Sequence, residues 1–384
     1  MTPMVASPAT PKIARFLAEQ RPATPCLVLD VDRVEQNYRA LRDALPLAHI
    51  YYAVKANPAA PILERLTALG SRFDAASWPE IERCLAAGAA PGAISYGNTV
   101  KKADAIRRAH EAGISLFAFD SEEELHKIAR QAPGSRVYCR LLVENKGAEW
   151  PLSRKFGTTV EHAATLLVRA RDLGLDPYGI SFHVGSQQTS TGAYEAAIGQ
   201  VAMLFTDLAS AGIQLRMLNL GGGFPARYRD EVPEMDAFAH AIMRGMTEHF
   251  GNALPEIFVE PGRYMVGDAG VVCAEVVLVS RKGADDPVRW VYLDIGRFGG
   301  LAETEGEAVK YPITTDRDGD ETGPVVIAGP SCDSVDTLYE RSNFRLPLSL
   351  RGGDRVLLHA TGAYVTTYAS QGFNGFAPLD EHYI

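Results

Sequence analysis

His49-Ile50-Tyr51-Tyr52-Ala53-Val54-Lys55-Ala56-Asn57-Pro58, then Ala59 to Leu69, then Arg72-Phe73-Asp74-Ala75-Ala76, form the stretch that decides the architecture. The first and last runs are short and rich in β-branched and aromatic residues, as strands are, whereas Ala59 to Leu69 carries apolar residues at helical spacing. Gly70 stands where that helix should stop, because a helix end commonly needs a residue that tolerates positive φ. The stretch therefore reads as strand, turn, helix, turn, strand.

The same alternation continues outward to Gly262. Further strands are expected at Ala93 to Tyr96, Leu116 to Phe119, Arg136 to Val143, Gly179 to Val184, Met217 to Leu220 and Glu256 to Val259. Helices are expected at Trp78 to Ala87, Lys101 to Ala112, Ser121 to Gln131, Thr159 to Leu173, Thr191 to Ala211 and Met235 to Phe250. Ser121 followed by Glu124 fits a capping box. Eight strands alternating with helices predict an α/β fold built on a closed (β/α)8 TIM-like barrel. After Met265 the runs Val271 to Val279, Trp290 to Leu293, Pro324 to Ile327, Arg355 to Leu358 and Tyr364 to Tyr368 follow one another without helices. That texture predicts a C-terminal antiparallel β-domain, which Pro25 to Leu29 could join. The expected division is residues 1–45 as an N-terminal segment of the β-domain, 46–265 as the barrel and 266–384 as the C-terminal β-domain. The polar stretch Thr314 to Gly323 reads as an exposed loop.

Composition excludes several classes of function. The 384 residues carry a formal net charge of -9 and no basic run longer than a pair, so nucleic acid is not an expected partner. No run of about 18 apolar residues is present, which argues against a membrane span, and Met1 to Gln20 lacks the apolar segment of a secretion signal. The five cysteines Cys26, Cys84, Cys139, Cys273 and Cys332 have no Cys-x-x-Cys spacing. They read as reduced thiols of a cytoplasmic protein with no metal site.

Barrel enzymes work at the C-terminal ends of their strands, so the residues at those ends are read together. Lys55 closes the first strand, Asp74 lies in the second, Arg140 in the fifth and His183 in the sixth; Gly221-Gly222-Gly223 follows the seventh and Glu260-Pro261-Gly262-Arg263 the eighth. Each has an ordinary reading alone: a solvated lysine, a tight glycine turn, a satisfied core imidazole, a structural ion pair. Together they match the demands of pyridoxal phosphate. Its aldehyde needs an amine, its phosphate needs backbone N–H donors and an arginine, and its pyridine nitrogen needs a carboxylate that keeps it protonated.

The blocks Tyr52-Ala53-Val54-Lys55-Ala56-Asn57, His183-Val184-Gly185-Ser186, Gly221-Gly222-Gly223-Phe224, Glu260-Pro261-Gly262-Arg263 and Gly329-Pro330-Ser331-Cys332-Asp333 resemble the ornithine/diaminopimelate/arginine decarboxylase family, whose fold is similar to that of alanine racemase. With Asp336, Gly362-Ala363-Tyr364 and Phe373-Asn374-Gly375-Phe376, the C-terminal blocks look like the ornithine decarboxylase branch. The resemblance implies a pyridoxal 5'-phosphate cofactor. Lys55 would bond its aldehyde, Ser186, Gly221, Gly222, Gly223, Arg263 and Tyr364 would bind its phosphate, Glu260 would pair with its ring nitrogen and His183 would stack on the ring. Asp74 and Arg140 would support that ring. From the neighbouring subunit, Cys332 would protonate the reacting carbon and Asp333 would grip the distal ammonium of a basic amino acid, and Phe373 would line its pocket. The family pattern further implies a homodimer with shared active sites and a Lys155 to Asp336 contact across the subunit boundary.

Substrate choice is implied by Phe298-Gly299-Gly300-Leu301-Ala302-Glu303-Thr304-Glu305, where the tyrosine-aspartate pair of the animal enzymes is absent and Glu303 or Glu305 would meet the distal ammonium. The expected reaction is L-ornithine to putrescine in polyamine synthesis, with L-lysine to cadaverine alongside it. Diaminopimelate or carboxynorspermidine decarboxylation keeps the chemistry but requires a pocket for a second carboxylate. An alanine-racemase-like activity needs opposed acid and base groups. A catalytically inactive regulator would be expected to have lost cofactor residues.

Overall fold

The computed structural model describes residues 9–143, 148–150 and 155–384. By its contacts the chain divides into two compact units. One comprises Glu35–Pro225 and Val232–Gly262; the other comprises the chain up to Val34, Ala226–Glu231 and Arg263–Ile384.

In the first unit the strands Ala48–Ala53, Arg72–Ala75, Ile94–Tyr96, Leu116–Phe119, Arg136–Arg140, Asp176–Ser181, Met217–Asn219 and Glu256–Val259 close into a parallel barrel. Closure is made by Glu256–Val259, whose Ile257, Phe258 and Val259 pair with Ala48, His49 and Ile50. Each helix lies between two strands, as parallel pairing requires a crossover. Local chemistry sets the helix ends. Ser77 Oγ accepts from Glu80 N at 3.4 Å, and Glu80 Oε2 in return accepts from Ala76 N at 2.6 Å, opening the helix Trp78–Ala86. Ser121 Oγ likewise accepts from Glu124 N at the start of Glu122–Gln131, but the Glu124 carboxylate does not reach back to complete the expected capping box and pairs instead with Lys101 and Lys127. At the other end Gly88, with φ +85°, receives the chain and lets it turn into the next strand.

The sixth strand runs Asp176–Ser181, beginning three residues before the expected Gly179 because Asp176 and Pro177 pair with Arg136 and Val137, and ending before His183, which lies beyond the strand and not within it. The fifth stops at Arg140, short of Val143.

In the second unit the described residues form a nine-stranded sheet with the path 313–315, 355–359, 270–280, 289–293, 322–328, 337–339. Cys26–Leu29 pairs antiparallel with 270–280 and parallel with Asp380–Tyr383. Most ladders are antiparallel, and Arg289–Leu293 with Thr322–Ala328 is a second parallel pair. Val272, Ala274, Val291, Leu293, Ile327 and Leu358 pack in its core. Two expectations are corrected here. Tyr364 to Tyr368 is not a strand but leads into a short turn, Thr366–Tyr368, since Ala360 and Tyr364 take φ of +59° and +56°. Thr314 to Gly323 is not wholly a loop, since Ile313–Thr315 pairs with the strand Arg355–His359. The helices Pro11–Gln20 and Val31–Ala44 were not anticipated.

Among the described residues no helix is long and apolar enough to cross a membrane, and no group of three or more His, Cys, Asp and Glu is placed to hold a metal ion.

Candidate active site

The barrel interior is filled from below by aromatic and aliphatic side chains. Tyr51, Tyr138, Met217 and Phe258 belong to one buried cluster, with the Tyr51 and Phe258 rings stacked at 4.5 Å. Side chains alternate along a strand, so the residue two positions further on returns to the same inward face. Those positions are Ala53, Arg140, Asn219 and Glu260. The apolar plug thus gives way, one layer up, to a polar ring at the C-terminal ends of the strands.

Asp74 sits in this ring at 5% exposure. Its Oδ1 has no hydrogen-bond partner among the described residues. Burial pushes its carboxyl well above the usual carboxylate range; the nearby charge of Glu260 adds to the rise, and Lys55 and Arg140 partly offset it. His183 is driven the opposite way: burial, then the positive charges of Arg140 and Lys55, hold its imidazole neutral. Its Nδ1 accepts from Gly185 N at 3.0 Å, which fixes the ring's orientation. Asn219 Nδ2 donates a short hydrogen bond to Glu260 Oε1, and Asn219 Oδ1 accepts from Gly221 N at 2.9 Å. Lys55 lies in the short turn Val54–Ala56 at the end of the first strand and is exposed.

The glycine triplet is a cradle that side chains would fill. A Cβ at Gly221 would stand 2.3 Å from Phe182 O, one at Gly222 2.6 Å from Glu260 O and 3.4 Å from His183 Nε2, and one at Gly223 2.6 Å from Gly185 O. Ser186 opens the short strand Ser186–Gln188, which Gln188 N ties to Gly223 O at 2.9 Å. An amine, a carboxylate, a neutral imidazole, an unpartnered buried carboxyl and a bare backbone loop are thus brought together. That donor set fits pyridoxal phosphate.

The second unit groups other expected residues. Arg263 is buried, donating from Nη1 to Glu303 Oε2 and Tyr228 Oη, both at 2.7 Å, and from Nη2 to Glu303 Oε1 at 2.5 Å. Its guanidinium carbon also lies 4.9 Å from the centre of the Tyr364 ring. Glu303 is therefore committed to Arg263, while Glu305 is exposed. Cys332 is the exposed one of five cysteines. Its N–H donates to Asn374 Oδ1 at 3.0 Å, and Asp333 Oδ1 accepts from Val335 N at 2.9 Å. Phe373 stacks on Phe298 at 4.1 Å beside a cavity of about 190 Å³ that Ser331 and Asp336 also line.

Sequence reasoning gave no role to Asn219, Tyr228 or Asn374. Asn219 left a signal, a lone amide at a strand end two residues before the glycine triplet; Tyr228 left none, since only folding brings it to Arg263.

The family described as "Pyridoxal-dependent decarboxylase, pyridoxal binding domain" matches residues 31–267. The lysine/ornithine decarboxylase of Selenomonas ruminantium is 37% identical over 367 residues, covering 95% of this chain and 90% of that protein. Antizyme inhibitor 2 of Xenopus laevis is 32% identical, covering 93% and 80%. The crystal structure of lysine/ornithine decarboxylase from Vibrio vulnificus complexed with cadaverine superposes with a TM-score of 0.88 at 31% identity, covering 99% of this chain and 100% of that one. With the polar ring and glycine cradle of the barrel, these likenesses make the chain a member of the pyridoxal-phosphate-dependent ornithine/arginine/lysine decarboxylase family, and pyridoxal 5'-phosphate its cofactor.

Proposed function

We propose that this chain decarboxylates L-ornithine to putrescine, with L-lysine as a second, slower substrate, and that it does so as a cytoplasmic homodimer. Bound pyridoxal phosphate supplies an aldehyde for the substrate's α-amine and a protonated ring that accepts the electron pair left by the departing carboxylate. Lys55 would hold the cofactor through its ε-amine. Glu260, oriented by Asn219, keeps the proton on the ring nitrogen. His183, neutral and fixed by Gly185 N, would stack on the cofactor ring. Asp74 and Arg140 support the same ring. The glycine triplet and Ser186 offer N–H and hydroxyl donors to the phosphate. Arg263 adds a positive charge held in place by Glu303, and Tyr364 adds its phenol. Cys332 delivers the proton that completes the amine.

The observation that carries the substrate assignment is the commitment of Glu303 to Arg263. It leaves exposed Glu305, with Asp333 and the Phe373 ring, to receive the distal ammonium. One methylene distinguishes ornithine from lysine and is worth only ~1–3 kcal/mol of discrimination, so both are expected to react. The likeness to an antizyme inhibitor supports a second reading, a regulator without turnover. Purified protein supplied with pyridoxal phosphate and, separately, L-ornithine, L-lysine, L-arginine and diaminopimelate distinguishes the two when released carbon dioxide and amine are measured. The highest kcat/KM is expected with ornithine and the next with lysine. A preference for arginine or diaminopimelate would overturn the substrate assignment, and no turnover of any of the four would favour the regulator.

A further inference from the structure

Asp336 is 2% exposed, yet it sits in a surface loop whose neighbours Cys332 to Val335 are all exposed. A carboxylate buried there must be satisfied, and among the described residues of this chain two backbone N–H groups do so, before any contribution from the Lys155 expected across the subunit boundary. Oδ1 accepts from Arg297 N at 2.7 Å and Oδ2 from Ser331 N at 3.1 Å. The space is shaped to this group. A Cβ at Gly296 would lie 2.0 Å from Oδ1, and one at Gly329 would lie 2.4 Å from both oxygens. The residue's own backbone closes the loop, with Gly329 N donating to Asp336 O at 2.7 Å and Asp336 N donating to Asp333 O at 3.0 Å.

The carboxylate therefore ties the segment that bears Phe298 to the segment that bears Cys332 and Asp333. Two further links complete a triangle. Asn374 Oδ1 accepts from Cys332 N at 3.0 Å, tying the second segment to a third. Ser370 N donates to Phe298 O at 2.9 Å and the Phe298 and Phe373 rings stack, tying the third to the first. Hydrogen bonds to a charged acceptor are among the stronger ones a loop can have. We propose that Asp336 is a positioning residue: by clamping the backbone at Arg297 and Ser331, and with Asn374 as its companion, it fixes where the Cys332 thiol delivers its proton.

The inference rests on the proposed role of Cys332, and the chemistry offers a readout specific to that role. When carbon dioxide leaves, the remaining electron pair takes a proton at the substrate's former α-carbon, giving the amine. A proton taken from water at the cofactor's carbon instead leads, after hydrolysis by a second water, to an aldehyde and aminated cofactor. A misplaced thiol should shift the ratio of aldehyde to amine, which a general loss of folded protein would not.

The test compares wild type, Asp336→Asn, Asn374→Ala and Cys332→Ala by amide hydrogen exchange without substrate and by product ratio with ornithine or lysine. For Asp336→Asn the expected result is roughly ten-fold faster exchange in the peptides covering Arg297 and Ser331 to Asp336, with the barrel peptides unchanged. A raised aldehyde fraction in the direction of Cys332→Ala is expected alongside it. Unchanged exchange at both peptides would overturn the clamp. Faster exchange with an unchanged product ratio, while Cys332→Ala alters it, would overturn the positioning role. If Cys332→Ala leaves the ratio unchanged, the role of the thiol itself is overturned and the inference falls with it, whatever the exchange shows. Should Asp336→Asn fail to fold, Asn374→Ala carries the same comparison at Cys332, with the same outcomes supporting or overturning it.

Discussion

Asp74 and His183 stand close to Lys55 and Arg140 in one polar layer, and burial presses both toward their neutral forms. For His183 the folded state binds fewer protons than the unfolded chain, whose histidine titrates near ~6.5. The neutral ring's stabilising contribution is complete above that value and is lost as pH falls below it. Cofactor-free protein should therefore lose stability between about pH 7 and 5, with this one group supplying up to about 1.4 kcal/mol per pH unit. His183→Phe keeps a flat ring and should remove that part of the slope in denaturant titrations; equal slopes would show that the imidazole is not buried as described. Asp74 acts in the opposite sense. Its raised folded value makes ionisation costly once pH climbs above the unfolded value of ~3.9, so Asp74→Asn should raise the stability of cofactor-free protein at pH 7 while weakening cofactor binding. Glu260→Gln should lower kcat by a factor on the order of 10² to 10³, because its charge serves the transition state more than the ground state. Steady-state rates at saturating cofactor check this, and wild-type kcat would remove Glu260 from its assigned role.

At the scale of elements, the segment Ala302–Glu307 separates two glutamates that looked equivalent in the sequence. Glu303→Ala would leave the buried Arg263 charge without its carboxylate, a loss of about 3–5 kcal/mol visible as a lowered unfolding midpoint. Glu305→Ala should leave that midpoint unchanged and raise KM for ornithine; the reverse pattern would exchange the two assignments. The contrast also shows what could be read beforehand. The eight barrel strands were legible because a strand covered on both faces must be apolar along its length and because glycine or a capping serine stands at the helix ends. The placement of Lys55, Glu260 and the glycine triplet was legible because they follow strand ends, where barrel chemistry gathers. The partners of Arg263 were not, since Tyr228 and Glu303 lie 35 and 40 residues away and only the fold aligns them. Nor was the turn at Tyr364, whose sequence has aromatic and β-branched residues suited to a strand. Gly362 sets the geometry there, with a would-be Cβ 1.8 Å from Val266 O.

At the scale of the whole molecule, the proposed homodimer makes a prediction that single-chain chemistry does not. If each site takes Lys55 from one subunit and Cys332 from the other, Lys55→Ala and Cys332→Ala are each nearly inactive, yet their mixture after subunit exchange regains about a quarter of wild-type activity. A mixture no more active than its parts would place both groups in one chain's site. Every assignment above turns on the amine at the end of the first barrel strand. Protein incubated with pyridoxal phosphate, reduced with borohydride and digested should yield one peptide bearing the reduced cofactor's mass on Lys55. Label on another lysine, or none at all, would contradict the account.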